Sequence, residues 1–311
     1  MPSLEIHPLS ELRGEAARLL RERYARQRTA EPLLPEIDHF EAHVPEEDGV
    51  VATRGGQAVA YLAGAVDGDT LRVGFGGHSA SEPEALRDLY AVLAERWDVS
   101  RFAVAVPAAD EALIDTWFRL AFGCQFIWAV RETDTQRDVA VQLHHVDVAV
   151  QLHHAGEIRP GTPDDLESVA GFDEILWLLQ ARAPSYSGMT VPPRDAFRKE
   201  WADLWDEPDT FTHFVAERDG RVVGHAVLYR RPEGDLRVPR GNIDLAHAAT
   251  LDDVRGTGVG LALARHVLDW AHAEGFRSMT TDWRSVNLLS SRFWPRRGFR
   301  PQYLRLYRAV P

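Results

Sequence analysis

The stretch Arg255-Gly256-Thr257-Gly258-Val259-Gly260 decides how the chain is read, because of what stands on either side of it. Before it, Asn242-Ile243-Asp244-Leu245-Ala246-His247-Ala248-Ala249-Thr250-Leu251 is built of apolar and small residues, as in a buried strand. After it, Leu261, Ala264, Val267, Leu268 and Ala271 recur at helical spacing. A strand, a glycine turn and a helix start, in that order, make an anion site. The glycines let the backbone come close to a ligand, and the first free N–H groups of the helix point at it. The guest such a turn suits is a phosphate or pyrophosphate.

Composition bounds the rest. A length of 311 residues predicts two domains, and 45% hydrophobic residues supply a core for each. No apolar run approaches the ~18 residues needed to span a bilayer, so no membrane partner is expected. Met1-Pro2-Ser3-Leu4-Glu5 lacks the charged and apolar regions of a signal peptide, so a cytoplasmic location is expected. The single cysteine, Cys124, agrees with a reducing compartment and reads as a buried structural residue within Leu120–Cys124. The net charge of −12 argues against a general nucleic-acid binder and favours cationic or neutral small partners. Residues 1–155 carry 14 Lys/Arg against 25 Asp/Glu, whereas residues 156–311 carry 21 against 22, so the half with the glycine turn is spared the acidity.

The order of predicted elements repeats. In the first half a strand at Leu4–Pro8 precedes a helical run from about Ser10 to Gln27. Strands at Val50–Thr53 and Ala58–Ala63 flank a glycine turn, and a further strand lies near Leu71–Phe75. A helix at about Pro83–Trp97, a strand at Phe102–Val106, a helix at Asp110–Leu120 and a strand at Gln125–Arg131 complete it. The second half opens on Glu157-Ile158-Arg159-Pro160, which echoes Glu5-Ile6-His7-Pro8, and runs through the same series to a strand at Tyr303–Arg308. Two diverged copies of one α/β unit account for the length, with boundaries at 1–132, 133–156 and 157–311. The linker holds a literal duplication, Asp138–His145 repeated as Asp147–His154, each ending in a histidine pair. Imidazoles invite a metal reading, but adjacent histidines on a strand point to opposite faces. A local duplication in a tolerant linker is the preferred account, and no metal is expected.

The residues resemble the GNAT superfamily, the acetyl-CoA-dependent N-acetyltransferases. Arg255–Gly260 fits that family's pattern of Gln or Arg, two residues, Gly, one residue, Gly or Ala. Asn287, Ser290, Phe293, Trp294, Gly298 and Phe299 are similar in spacing to its closing helix and final Gly-Phe turn. The resemblance covers 157–311 and, more weakly, 4–131. It implies two GNAT-like α/β domains, each a mixed, mostly antiparallel sheet flanked by helices, with the second catalytic. In the first copy the turn position holds His78-Ser79-Ala80-Ser81-Glu82-Pro83-Glu84, which lacks paired glycines and sets acids where pyrophosphate would lie. Gly74-Phe75-Gly76-Gly77 just upstream carries glycines but reads as strand. The first domain is therefore expected to be degenerate.

From the resemblance, Thr250, Leu251, Arg255, Gly256, Thr257, Gly258, Val259, Gly260, Asn287, Ser290 and Trp294 are the expected acetyl-CoA contacts, with a backbone N–H near Leu251 polarising the thioester carbonyl. Asn287 is equally suited to cap the helix at Leu288. Trp294 stands where many members carry a tyrosine that protonates the thiolate, and indole has no useful acidity. Tyr303 and Tyr307 on the last strand are alternative proton donors. For the base, His247, Asp244 and Asp282 are candidates. Three residues apart on a strand, Asp244 and His247 are expected on opposite faces.

The acceptor cleft is expected from about Asp173 to Trp205, with Trp177, Tyr186, Met189, Trp201 and Trp205 beside Asp173, Glu174, Asp195, Glu200 and Asp203. The expected acceptor is a primary amine of a small molecule. A non-catalytic acyl-CoA sensor or scaffold and a mycothiol synthase-like acetyltransferase are the alternatives, and a homodimer is compatible with each.

Overall fold

The computed structural model describes residues 2–46, 48–97, 99–134 and 156–310, and the chain divides into two units. The duplicated segment Asp138–His154 lies outside the described residues. The first unit is Met1–Ala129 with Glu233–Pro239 and Pro301–Pro311; the second is Val130–Pro232 with Arg240–Arg300. The end of the chain, expected with the second half, thus packs with the first.

In the first unit β1 (Leu4–Pro8), β2 (Gly49–Arg54), β3 (Gln57–Ala63) and β6 (His78–Ala80) form one antiparallel sheet in that order. A second run joins β4 (Ala65–Asp67), β5 (Thr70–Val73), β7 (Arg101–Pro107) and β14 (Arg300–Ala309). Strand β8 (Gly123–Glu132) leaves the first unit after Ala129. The helices are α1 (Arg13–Ala30), α2 (Ala85–Ala94) and α3 (Glu111–Phe118). Val50, Ala52, Ala60 and Leu62 pack with Leu86, Leu89 and Leu93 of α2, while Val51, Tyr61 and Ala63 pack with Leu19, Leu20 and Tyr24 of α1. Alternate residues of one strand feed different cores, so the strands read as unbroken apolar runs.

Later parts of the chain complete these cores. Leu236 is buried in the α1 core, and the Tyr24 hydroxyl donates to its carbonyl at 3.0 Å. Leu306 of β14 enters the α2 core, and Tyr303 stands in register with Pro107.

The second unit holds β9 (Glu157–Pro160), α4 (Leu166–Ala181), α5 (Arg194–Trp205), β10 (Phe211–Arg218), β11 (Arg221–Tyr229), β12 (Asn242–Thr250), α6 (Val259–Ala273), β13 (Ser278–Arg284) and α7 (Leu288–Phe293). Its sheet runs β9-β10-β11-β12-β13, antiparallel up to β12 and parallel between β12 and β13. Val215 and Val227 bury one face against Val169 of α4 and Trp201 of α5, and Leu263 of α6 meets the other face at Gly224. Among the described residues no helix is long and apolar enough to cross a membrane.

Two predictions follow from the first unit. His78 is fully buried, with Nε2 3.0 Å from the Ala105 carbonyl; burial, with Arg23 adding to it, pushes its imidazole down to about 3. An unfolded histidine titrates near 6.5. Above that pH both states are neutral; below it the unfolded chain takes a proton that the folded unit refuses until about pH 3. Stability should therefore fall with pH across this window by up to about 1.4 kcal/mol per pH unit from this group. Urea midpoints from about pH 7 to 4 should slope less in His78→Gln than in wild type; parallel slopes would refute the assignment. A chain ending at Arg300 should lose the first unit, because each large-to-small change in such a core costs roughly 2–5 kcal/mol and here two side chains disappear entirely. Hydrogen-exchange protection of β7 is the readout, and retained protection contradicts the expectation.

Candidate functional site

The glycine turn forms as its sequence requires. A short 3-10 turn at Asp252–Val254 follows β12, then Gly256 at φ +79° and Gly258 at φ +97° lead into α6. Both angles lie where a β-carbon is strained, so glycine is the residue that permits the turn. Gly258 is the N-cap and brings no side chain, so the first-turn N–H groups of α6 have no intrahelical acceptor.

These groups face a cavity of about 370 Å³, mostly apolar, between the β12 end, α6, α7 and one side of α4. Of the expected contacts, Thr250, Arg255, Gly256, Gly258, Gly260, Asn287, Ser290 and Trp294 line it. Leu251, Thr257 and Val259 do not. The Leu251 N–H donates to the Val223 carbonyl at 3.0 Å, so it is not free to polarise a thioester. Thr257 turns its hydroxyl to the Val254 carbonyl, and Val259 is core. Asn287 accepts from the N–H groups of Leu289 and Ser290, which makes it the cap of α7 as well as a wall of the cavity. The indole of Trp294 packs edge-on against Phe293 and Phe299. Arg255 is held by Asp252 at 2.6 Å.

A second cation in the wall escaped the sequence reading. Arg297 lies 4.4 Å over the Phe293 ring, and burial pushes its guanidinium below the ordinary value, with Arg265 and Arg296 adding to this. Its signal was the basic run Arg296-Arg297 just before the Gly298-Phe299 turn.

Strand β12 carries the remaining chemistry. Its register with β11 pairs Leu245 with Leu228 but His247 with Val227, so Ala246 is a bulge. Asp244 and His247 therefore oppose Tyr229 and Val227, which share a face, and the expectation of opposite faces is wrong by this one residue. His247 Nδ1 lies 2.8 Å from Asp173 Oδ1 on α4, and the other Asp173 oxygen accepts from the Trp201 indole at 2.6 Å. Beside His247 stand His225 and then His213, with ring centroids 4.8 Å and 5.6 Å apart in succession. Burial pushes His225 well below the ordinary imidazole range, with His247 and His213 adding to it, and burial pushes His213 down to about 4.

The other candidates have structural partners or lie elsewhere. Asp244 takes Arg231 at 2.6 Å on one oxygen and the Thr280 hydroxyl at 2.7 Å on the other, which stitches β12 to β13. Asn242 continues the seam to Thr280 and Ser278. The β12–β13 register ends at Leu245–Thr281. Asp282, one residue beyond, does not line the cavity. Tyr303 is fully buried in the first unit, and its strand companion Tyr307 pairs there with Ala103. Of the acids between Asp173 and Trp205, Asp173 holds His247, Glu174 pairs with Arg194, Asp195 with Arg198 and Asp203 with Lys199.

At the corresponding place in the first unit, His78–Ala80 is a strand and the Ser81 and Glu82 N–H groups both donate to the Val59 carbonyl. Gly76 is needed for packing: a β-carbon there would fall 1.9 Å from the His43 carbonyl oxygen.

Comparison with known proteins follows the same lines. Residues 173–299 match the Acetyltransferase (GNAT) family. No curated protein matches the chain. Among solved structures it is similar to a tandem GNAT protein from the clavulanic acid biosynthesis pathway, at 17% identity over 99% of each chain with a TM-score of 0.50. It is similar to a GCN5-related N-acetyltransferase from Sphaerobacter thermophilus, at 14% identity over 99% of this chain and 96% of that one, with a TM-score of 0.56. A GNAT-family acetyltransferase from Colwellia psychrerythraea gives 12% identity over 99% and 100%, with a TM-score of 0.51. At such identities the likeness is one of fold. Residues 173–299 are a GNAT-family domain, and the chain that holds them has a tandem GNAT fold.

Proposed function

We propose that the chain is an acetyl-CoA-dependent N-acetyltransferase that acts on a primary amine of a small molecule, with the second unit active and the first degenerate. One observation carries the reading: the uncapped, glycine-built N-terminus of α6 opens into an apolar cavity beside the β12 end that has no partner in β13. Phosphate suits the N–H groups, and Arg297 adds charge at the same wall. The apolar lining from Leu176, Leu179 and Phe293 suits a pantetheine arm. Acetyl-CoA, when bound, supplies an activated acyl carbon to the amine nitrogen. The protein's part is to hold the donor, exclude water and remove the amine proton.

We assign that proton to His247, which does not itself line the cavity but stands against His225, which does, at 4.8 Å between ring centroids. Asp173 accepts from Nδ1, which fixes the ring and leaves the Nε2 electron pair as the base. Trp294 has no proton to give a departing thiolate. In the first unit, two carbonyl-bound N–H groups and the acids Glu82 and Glu84 replace the anion site.

Calorimetry should find one coenzyme A per chain, and Arg297→Ala should weaken it about tenfold, the loss of one charge-assisted contact. Two molecules per chain would contradict a degenerate first unit. With acetyl-CoA and a panel of amines, thiol release in His247→Gln should fall roughly 10²–10⁴-fold with coenzyme affinity unchanged. Coenzyme binding without thiol release from any amine would favour the sensor reading instead.

A further inference from the structure

Three histidines far apart in sequence converge on one face of the second unit. His213 of β10 stands opposite Val227 of β11, which stands opposite His247 of β12; His225 lies two residues from Val227 on the same face. Asp173 reaches over from α4, so that one donor atom each from Asp173, His225 and His247 lie within 4.8 Å of one another. His225 is fully buried, yet neither of its ring nitrogens has a hydrogen-bond partner among the described residues, and the same is true of His247 Nε2. Buried polar groups are normally satisfied, and this concentration of unspent electron pairs beside a carboxylate is what a cation would satisfy.

We propose that Asp173, His225 and His247 form a binding site for one divalent first-row transition-metal ion of the zinc class. Two imidazoles and a carboxylate are the donor set such ions select, and three protein ligands leave a fourth position open. Donors around a tetrahedral ion stand roughly 3.3 Å apart, so the cluster closes by side-chain shifts on the order of an ångström. The Trp201 indole, 2.6 Å from Asp173 Oδ2, holds the carboxylate from behind. Ligation through His247 Nδ1 moves the ring proton from that nitrogen to Nε2, so the imidazole stays neutral and the Asp173 carboxylate is freed for the ion. A metal here takes up the residues the base needs, so loading and acetyl transfer exclude one another; this consequence rests on the proposed function, whereas the binding does not.

The test uses the full chain, free of any histidine tag and stripped with a chelator. Zinc chloride is titrated calorimetrically, and cobalt chloride is followed by its visible d–d absorption. One zinc per chain is expected, weakened at least tenfold in both His225→Gln and Asp173→Asn, with folding of each checked by circular dichroism. Replacing His144, His145, His153 and His154 together by alanine should leave binding intact. Absence of saturable zinc binding overturns the site, as does binding that survives both cluster variants and is lost in the linker variant. In the transfer assay, zinc should abolish thiol release; undiminished release at saturation overturns the exclusion. If no amine supports transfer at all, the calorimetric result still decides the metal.

Discussion

The second unit depends on one residue being out of step. A regular β12 would send His247 toward α6, away from Asp173 and from His225. Because Ala246 bulges, the alternation resets and the far half of the strand shows the opposite parity to its first half. The residues before the bulge hold the sheet together, and those after it meet α4 and the cavity.

The first half of β12 is anchored by polar side chains in an otherwise apolar sheet. Asn242, Ser278, Thr280, Asp244 and Arg231 bond in series across the parallel seam, each oxygen of Asp244 having its own donor. Such a network adds little net stability, since its desolvation offsets most of the attraction, but wrong registers leave its members unpaired. Specificity of pairing is what it supplies, and the seam's end at Leu245–Thr281 is where the cavity becomes possible.

Much of this was legible in the sequence, for identifiable reasons. Arg255–Gly260 demands positive φ at two places and is flanked by two clear periodicities, so turn, strand and helix all follow locally. Asn287 advertises its cap in the same way. The bulge at Ala246 has no such signature: alanine is compatible with either geometry, and only the register with β11 reveals it. The histidine cluster was hidden for the same reason. His247 stands out as a candidate base, but His213 and His225 are unremarkable singly, and the conspicuous histidine pairs are those at His144-His145 and His153-His154. The fate of β14 was also invisible, because a strand's sequence says that it pairs and not with which edge.

The closing strand has a consequence for how the molecule comes into being. Domains of a nascent chain ordinarily fold in the order they emerge. Here the first unit contains Leu306 and Tyr303, from a strand that is synthesised last. Its cores stay incomplete through nearly the whole of translation, so the first unit, although synthesised first, cannot mature ahead of the rest of the chain.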